Sequence, residues 1–158
     1  MELPKRKSPR LPGYDYSRKG YYFVTICVRQ KRCILSRVVG RGLAPAEICL
    51  TKYGEAAKKE LLALESRYPD VRIDKYVIMP NHIHAILYLD DAAGASPRPT
   101  LMDVVCAFKS LTTRCCGTSL FQTSFHDHVI RGEEDYRKIW EYIDTNPNKW
   151  AEDCFYTK

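Results

Sequence analysis

The 158-residue sequence lacks the marks of several large protein classes. No long uncharged apolar stretch occurs, so we expect no transmembrane helix. The basic N-terminus has no apolar core of the kind that a secretory signal requires. A G-x-x-x-x-G-K phosphate loop is also absent, which argues against a nucleotide-binding enzyme of that type. These absences leave a cytoplasmic protein without a membrane partner as the expectation.

The seven cysteines form neither a disulfide framework nor a zinc-binding pattern. Their number is odd, Cys115 and Cys116 are adjacent, and no C-x-x-C pair occurs. We expect reduced thiols that serve mostly as small buried hydrophobic side chains.

What the sequence does contain is a basic N-terminal arm and a single domain. The formal net charge is +6, which suits a polyanionic partner. We predict an arm over residues 1–19, one domain over residues 20–150 and a tail over residues 151–158. The arm carries its basic residues among prolines: Lys5, Arg6, Lys7, Arg10, Arg18 and Lys19. It is either a solvated terminus or a segment that lies along a nucleic-acid backbone.

Residue patterns predict an α+β fold. Alternating apolar residues indicate strands, and apolar residues at helical spacing indicate helices. The predicted elements are a strand at 20–30, a helix at 52–68, strands at 72–79 and 82–89, a helix at 101–116, a strand at 125–131 and a helix at 133–146. Residues 31–50 are ambiguous, and residues 90–99 are predicted as a loop. Because the central strands are adjacent, we expect an antiparallel sheet with helices, of ferredoxin or RNA-recognition-motif type.

A pair of histidines opens the second central strand. The sequence Pro80-Asn81-His82-Ile83-His84 places a turn signal directly before it. Side chains alternate along a strand, so His82 and His84 share one face while Ile83 lies on the apolar face. Two neighbouring imidazoles are suited to binding one metal ion, but two hydrogen-bonded structural histidines explain the spacing equally well.

A second pair of the same spacing competes with the first. His126 and His128 flank Asp127, and on a strand they too would share a face. We favour a structural pair that positions the last helix through hydrogen bonds, and we keep His128 as a secondary site residue.

The last helix carries a candidate nucleophile. Tyr142 and Asn146 are four residues apart, so they lie on one helix face, one turn from each other. A phenol is a possible nucleophile, and an amide carbonyl is a possible third metal ligand. Tyr136 is six residues from Tyr142 and faces elsewhere. It aligns with Trp140 and Ile143 in an apolar stripe, which indicates packing.

These segments resemble the single-tyrosine HUH transposases, and among them the REP-associated tyrosine transposases. HUH stands for two histidines separated by a hydrophobic residue. The resemblance is carried by Pro80-Asn81-His82-Ile83-His84 and by Tyr142-Ile143-Asp144-Thr145-Asn146-Pro147. Supporting segments lie at 10–16, 22–27, 108–110 and 125–131, so the similarity extends from about residue 10 to residue 150.

The resemblance implies an enzyme that cleaves single-stranded or hairpin DNA, such as REP-like palindromes, through a 5′-phosphotyrosine at Tyr142. It implies a magnesium or manganese ion on His82, His84 and Asn146, the same antiparallel fold, and a nucleoid location. A monomer and a homodimer are both compatible with it. Imidazole ligands alone would favour zinc, nickel or copper. The resemblance and the amide carbonyl favour the harder magnesium or manganese ion, which we adopt.

Two further cations and an alternative function complete the predictions. Lys109 and Arg114 project away from the buried, apolar side of their helix, either to DNA phosphates or into solvent. The main alternative is a non-catalytic, sequence-specific DNA-binding protein on the same fold, which would not need Tyr142. A metal-dependent oxygenase or hydrolase is disfavoured because no acidic partner motif accompanies the histidines.

Overall fold

The structure, a computed structural model, describes residues 10–40, 45–91 and 98–157. The elements of this part of the chain are β1 (Gly20–Cys27), β2 (Ser36–Val39), β3 (Glu47–Leu50), α1 (Lys52–Arg67), β4 (Val71–Ile78), β5 (His82–Leu89), α2 (Leu101–Cys116), β6 (His126–Val129) and α3 (Gly132–Thr145). A 3-10 segment, Pro147–Glu152, follows α3. None of the described helices is long and apolar enough to cross a membrane.

Four strands form the main sheet in the order β4-β5-β1-β6, and all neighbours are antiparallel. The connection from β1 to β4 contains α1, and β5 lies between these two strands in the sheet. The connection from β5 to β6 contains α2, and β1 lies between those two strands. This is the split β-α-β arrangement of ferredoxin-like proteins. The predicted α+β fold with an antiparallel sheet is therefore confirmed, and β5 and β1 are its central strands.

The ambiguous segment contains a small hairpin. Strands β2 and β3 pair antiparallel in a separate two-stranded sheet. Ser36 joins the hairpin to the main sheet by donating its hydroxyl to the Ile78 carbonyl oxygen at 2.9 Å. The strands are four residues long and partly exposed, so their alternation is too short for the sequence to separate them from turns.

Helices α1 and α2 cover one face of the main sheet. The largest apolar side chains between helices and strands are Tyr22, Ile26, Leu61, Leu64, Ile83, Leu87, Leu101 and Phe108. Helix α2 begins with a capping box, in which Thr100 accepts from the Asp103 amide and Asp103 accepts from the Thr100 amide. Its bounds agree with the predicted helix at 101–116.

Helix α3 lies on the opposite face, where it contacts β4 and β5. Its anchor is Ile143, which is buried, whereas Trp140 is 39 % exposed and stacks with the Lys75 ammonium at 3.9 Å. The chain beyond α3 continues to pack on this face. Trp150 is buried, and the Asn81 amide donates to the Phe155 carbonyl oxygen at 2.7 Å. Much of the predicted tail is thus in contact with the sheet.

The cysteines are all free, as predicted, but the prediction that most of them are buried is wrong. Among the seven, Cys27 alone is buried, and five are exposed. The exposed ones include Cys106 and Cys115 on α2, which point away from the core that Val105 and Phe108 build. The helix face on which Cys106 and Cys115 lie, and not the residue type, determines their exposure.

Candidate metal and nucleophile site

The two histidines of β5 lie side by side beneath α3 and the C-terminal segment. The side chains of His82 and His84 point to the sheet face opposite α1 and α2, while Ile83 and Ala85 belong to the core. His82 is 0 % exposed and His84 is 1 % exposed, and their ring centroids are 4.5 Å apart. A central strand covered on both faces therefore holds two imidazoles in a dry environment.

Hydrogen bonds orient both rings. Asn81 donates its amide to the Phe155 carbonyl oxygen, so its Oδ1 faces His82 and accepts from Nδ1 at 2.8 Å. His82 Nε2 is then unprotonated and presents a lone pair. Thr25, on the neighbouring β1, bonds His84 Nδ1 through its hydroxyl at 2.8 Å. Such bonds to the second ring nitrogen are the usual support of a metal-binding histidine.

Both imidazoles are neutral at neutral pH. Burial lowers the pKa of His82 to about 4, against a smaller opposite effect of the Asp153 carboxylate. Burial, reinforced by the nearby His82, also lowers the pKa of His84 well below its usual value. Neutral imidazole is the form that binds a metal ion, so the site is ready for a cation across the physiological range.

Helix α3 brings Tyr142 and Asn146 to this pair. The Tyr142 ring centroid is 5.2 Å from that of His84 and 6.2 Å from that of Phe23. Asn146 is 3 % exposed, and its side chain is near enough to shift the pKa of both His82 and Tyr142. Tyr142 itself is 41 % exposed, so a large substrate has access to the phenol.

A carboxylate that sequence reasoning missed completes the site. Asp153 lies just after the 3-10 segment, and its Oδ2 is 3.8 Å from His82 Nε2. One potential ligand atom from each of His82, His84 and Asp153 lies within 4.8 Å of the others. No local pattern in the sequence marks Asp153, because its place depends on how the chain folds back after α3.

Several polar atoms at this point are buried and have no hydrogen-bond partner among the described residues. They are His82 Nε2, His84 Nε2, Asn146 Oδ1 and Asp153 Oδ2. An unsatisfied buried polar group costs about 1–3 kcal/mol. A shared cation would satisfy these atoms together, so imidazole nitrogens and amide and carboxylate oxygens fit a divalent metal ion.

Tyr136, the other candidate nucleophile on α3, lies away from the β5 histidines. The Tyr136 hydroxyl donates to the Asp74 carboxylate, and its ring centroid lies 5.3 Å from that of Tyr21. The Asp74 carboxylate and, to a smaller extent, burial raise the pKa of Tyr136 to about 12. The two tyrosines occupy different surroundings, as their spacing on α3 predicts, and only Tyr142 contacts a β5 histidine.

The second histidine pair stands on the edge strand β6. His126 and His128 are at least partly exposed, and His128 Nε2 bonds the Asp135 carboxylate of α3 at 2.8 Å. This bond is of the kind predicted for a pair that positions the last helix.

The predicted DNA-contacting cations divide into three groups. Lys5, Arg6 and Lys7 lie outside the described residues. Arg10 pairs with the buried Asp127 at 2.6 Å, and Lys109 donates to the Gln122 and Thr123 carbonyl oxygens at 3.1 and 2.7 Å. Burial lowers the pKa of Lys109. Arg114 is exposed. The structure thus gives Arg10 and Lys109 internal partners that the sequence does not reveal.

The chain has a ferredoxin-like sheet, buried paired histidines on a central strand and a tyrosine on a following helix, which is the arrangement that the resemblance to the HUH single-tyrosine transposases implies. No family model matches the chain. The chain is 30 % identical to an uncharacterised protein of Haemophilus influenzae, over 96 % of this chain and 93 % of that protein, and it belongs to the family of that protein.

The chain is also similar to two transposases. The chain is 26 % identical to the REP-associated tyrosine transposase of Escherichia coli, over 85 % of this chain and 70 % of that protein. A solved REP-associated tyrosine transposase bound to a REP hairpin shares the fold with a TM-score of 0.65. It has 24 % identity, over 94 % of this chain and 74 % of the other. The predicted kinship with the REP-associated tyrosine transposases is thereby confirmed.

Proposed function

We propose that the chain is a metal-dependent DNA strand-transferase that cleaves single-stranded or hairpin DNA through Tyr142. The proposal rests on one observation. The accessible Tyr142 phenol lies beside the two buried imidazoles of His82 and His84, whose Nε2 atoms lack partners among the described residues. The related transposase of known structure binds a REP hairpin, and REP-like palindromes are the substrates we propose here. Such a protein would act at the nucleoid, as a monomer or a homodimer.

The reaction is a transesterification. Tyr142 Oη attacks the scissile phosphorus and forms a new O–P bond, while the bond from phosphorus to the 3′-oxygen breaks. The phenolic proton passes to solvent, and the departing 3′-oxygen takes up a proton. The 5′-phosphotyrosine keeps the phosphate in ester linkage, so a later 3′-hydroxyl attack rejoins the strand. This polarity follows the family resemblance.

His82, His84 and Asn146 would hold the metal ion, for which we propose magnesium or manganese. When bound, the ion supplies Lewis-acid stabilisation to the non-bridging phosphate oxygens. The amide oxygen of Asn146 adds a hard ligand to the two nitrogens, which suits these ions. Asn81 and Thr25 keep the imidazole rings in place, so the ligand geometry is set before substrate arrives.

The tyrosine needs activation. Burial, with the Asp153 carboxylate as a smaller cause, raises the pKa of Tyr142 in the metal-free site. The phenol is therefore protonated at neutral pH, and Asn146 opposes the shift. A positive charge held in the site would lower the pKa of the Tyr142 phenol by charge attraction.

The test is formation of a covalent protein–DNA adduct. Wild-type protein is mixed with 5′- and 3′-labelled REP-type hairpins and with magnesium or manganese, and adducts are resolved on denaturing gels. We expect the 3′-labelled cleavage fragment to remain attached to the protein. Tyr142→Phe removes only a hydroxyl, so it should fold and bind DNA normally but form no adduct.

Tyr136→Phe is the matched control, because it makes the same change on the same helix away from the histidines. It should retain adduct formation. An adduct in Tyr142→Phe, or a phosphotyrosine mapped to Tyr136, would overturn the assignment. Hairpin binding by the wild type with no adduct under any metal condition would support the non-catalytic DNA-binding alternative instead.

A further inference from the structure

Asp153 lies outside both the HUH motif and the tyrosine motif, and its carboxylate is buried. Its side chain is 1 % exposed. One carboxylate oxygen, Oδ1, accepts from the Phe155 amide at 2.8 Å, which fixes the orientation of the group. The other oxygen, Oδ2, points toward His82 Nε2 at 3.8 Å and has no hydrogen-bond partner among the described residues. A hydrogen bond therefore fixes one carboxylate oxygen of Asp153, and the other oxygen is directed toward His82.

Two of the atoms grouped with Oδ2 are acceptors and not donors. Asn81 takes the proton on His82 Nδ1, so His82 Nε2 offers a lone pair. Asn146 Oδ1 is a carbonyl oxygen, and His84 Nε2 is equally without a partner in the described chain. Asp153 Oδ2, His82 Nε2 and Asn146 Oδ1 are three acceptors that cannot satisfy one another, so this arrangement favours a positive charge or a proton between them.

We propose that Asp153 is the anionic ligand of the metal site, completing a set with His82, His84 and Asn146. The inference rests on the proposed function, which assigns the other ligands, and it adds the carboxylate that makes the site charged. A carboxylate oxygen beside an amide oxygen moves the ligand preference toward magnesium or manganese and away from an all-imidazole zinc or copper site.

The proposed ligand also links the metal to the C-terminal segment. Residues 147–157 are tied to the sheet by the Phe155 ring, 4.5 Å from the His82 ring, and by the bond from Asn81 to the Phe155 carbonyl. A metal ion on Asp153 adds a further bond between this segment and β5. Metal binding should therefore order residues 147–157 as well as the histidines.

A metal-independent arrangement is the rival explanation. In that case Asp153 and His82 form a buried pair joined by a shared proton, and the carboxylate contributes nothing to metal affinity. The two explanations differ in the effect of removing only the charge of Asp153, because Asn retains the shape and still accepts from the Phe155 amide.

The experiment measures Mn²⁺ binding to full-length, metal-stripped protein by electron paramagnetic resonance of the free ion. Asp153→Asn should weaken binding at least about tenfold, because ligand charge strongly tunes the affinity for hard cations. Glu152→Gln is the matched control. It removes the same charge from an exposed neighbour and should bind as the wild type does. His82→Ala should lose binding.

The outcomes separate the two proposals. If Asp153→Asn binds Mn²⁺ like the wild type while His82→Ala does not, Asp153 is not a ligand and the proposed function stands. If the wild type does not bind Mn²⁺, the metal site fails as a whole. Should Asp153→Asn fail to fold, hydrogen exchange of wild-type residues 147–157 decides. Slower exchange with Mg²⁺ supports ligation by Asp153, and unchanged or faster exchange refutes it.

Discussion

The molecule contains the same histidine spacing twice, on strands that differ in their place in the sheet. His82 and His84 lie on β5, which has β4 on one side and β1 on the other. His126 and His128 lie on β6, an edge strand that pairs with β1 alone in the main sheet. The first pair is fully buried under α3 and the C-terminal segment, and the second faces solvent.

The difference shows that position in the fold, and not the motif, decides whether a histidine pair is buried. Burial keeps the β5 imidazoles neutral and leaves their Nε2 atoms without partners among the described residues. On β6, His128 instead forms a bond through its Nε2 with the partly exposed Asp135 carboxylate. Exposed pairs of this kind contribute little, because water and salt screen them.

The largest expected contrast is in metal binding and DNA cleavage. His82→Ala or His84→Ala should weaken Mn²⁺ binding by more than about 100-fold, beyond the 10- to 100-fold typical of supporting residues. The covalent DNA adduct should disappear with it. His126→Ala and His128→Ala should keep both within a few-fold. Calorimetric titration and adduct gels measure the effects, with circular dichroism to check folding. Loss of the adduct in the β6 variants alone would show that the functional pair had been misassigned.

The next contrast is in the pH dependence of stability, measured with chelator to keep the protein metal-free. The folded-state pKa of His82 is about 4 and its usual value is 6.5, so the unfolded state binds the proton first as the pH falls. Stability should therefore be complete above pH 6.5 and fall between pH 6.5 and about 4. The expected loss from His82 is about 3 kcal/mol, at 1.36 kcal/mol per pKa unit.

Urea unfolding at a series of pH values measures this loss. His82→Gln should make the pH profile shallower in that window and leave the part that the buried His84 contributes. A wild-type profile that is flat from pH 7 to pH 4.5 would contradict the burial argument.

A smaller effect is expected from Thr25, which supports His84 through Nδ1. Thr25→Val keeps the shape of the side chain but removes the hydroxyl that orients the ring. Metal affinity should fall about tenfold, the lower end of the range for such supporting bonds. Asp135→Asn is the corresponding change for the β6 pair and should leave metal affinity unaltered. Equal metal affinity in Thr25→Val and wild type would mean that packing alone orients His84.

The smallest effect is expected from the contact between β6 and α3. His128→Ala removes an exposed bond to Asp135, so unfolding free energy should change by less than about 1 kcal/mol. The same measurement in high salt should show an even smaller difference. A loss above about 2 kcal/mol in thermal or urea unfolding would indicate that this pair, and not Ile143, holds α3 on the sheet.

Much of the fold was predictable because the signals are local. Strict alternation places Ile83, Ala85 and Leu87 on the face opposite His82 and His84, and the structure agrees. The helical period and the Thr100 cap delimit α2. The hairpin of β2 and β3 was left ambiguous, since four-residue strands with partly exposed side chains carry too little pattern.

The cations were less predictable, because a sequence does not show whether a charge has a partner inside the fold. Arg10 forms an ion pair with Asp127, which is 117 residues away in the chain, and its contact with DNA stays a prediction. Lys109 donates to two backbone carbonyls near β6, and its contact with DNA likewise stays a prediction. Arg114 is exposed, and its contact with DNA stays a prediction.

By itself, the sequence determined the antiparallel α+β class, the shared face of His82 and His84, and the pairing of Tyr142 with Asn146 on one helix side. These follow from the periods of 2.0 and 3.6 residues, which act between near neighbours in the chain. Tertiary structure alone decided that the β5 pair is buried and the β6 pair is not, and that Asp153 turns back to meet His82. Burial and chain reversal depend on packing between distant segments, for which one-dimensional patterns carry no signal.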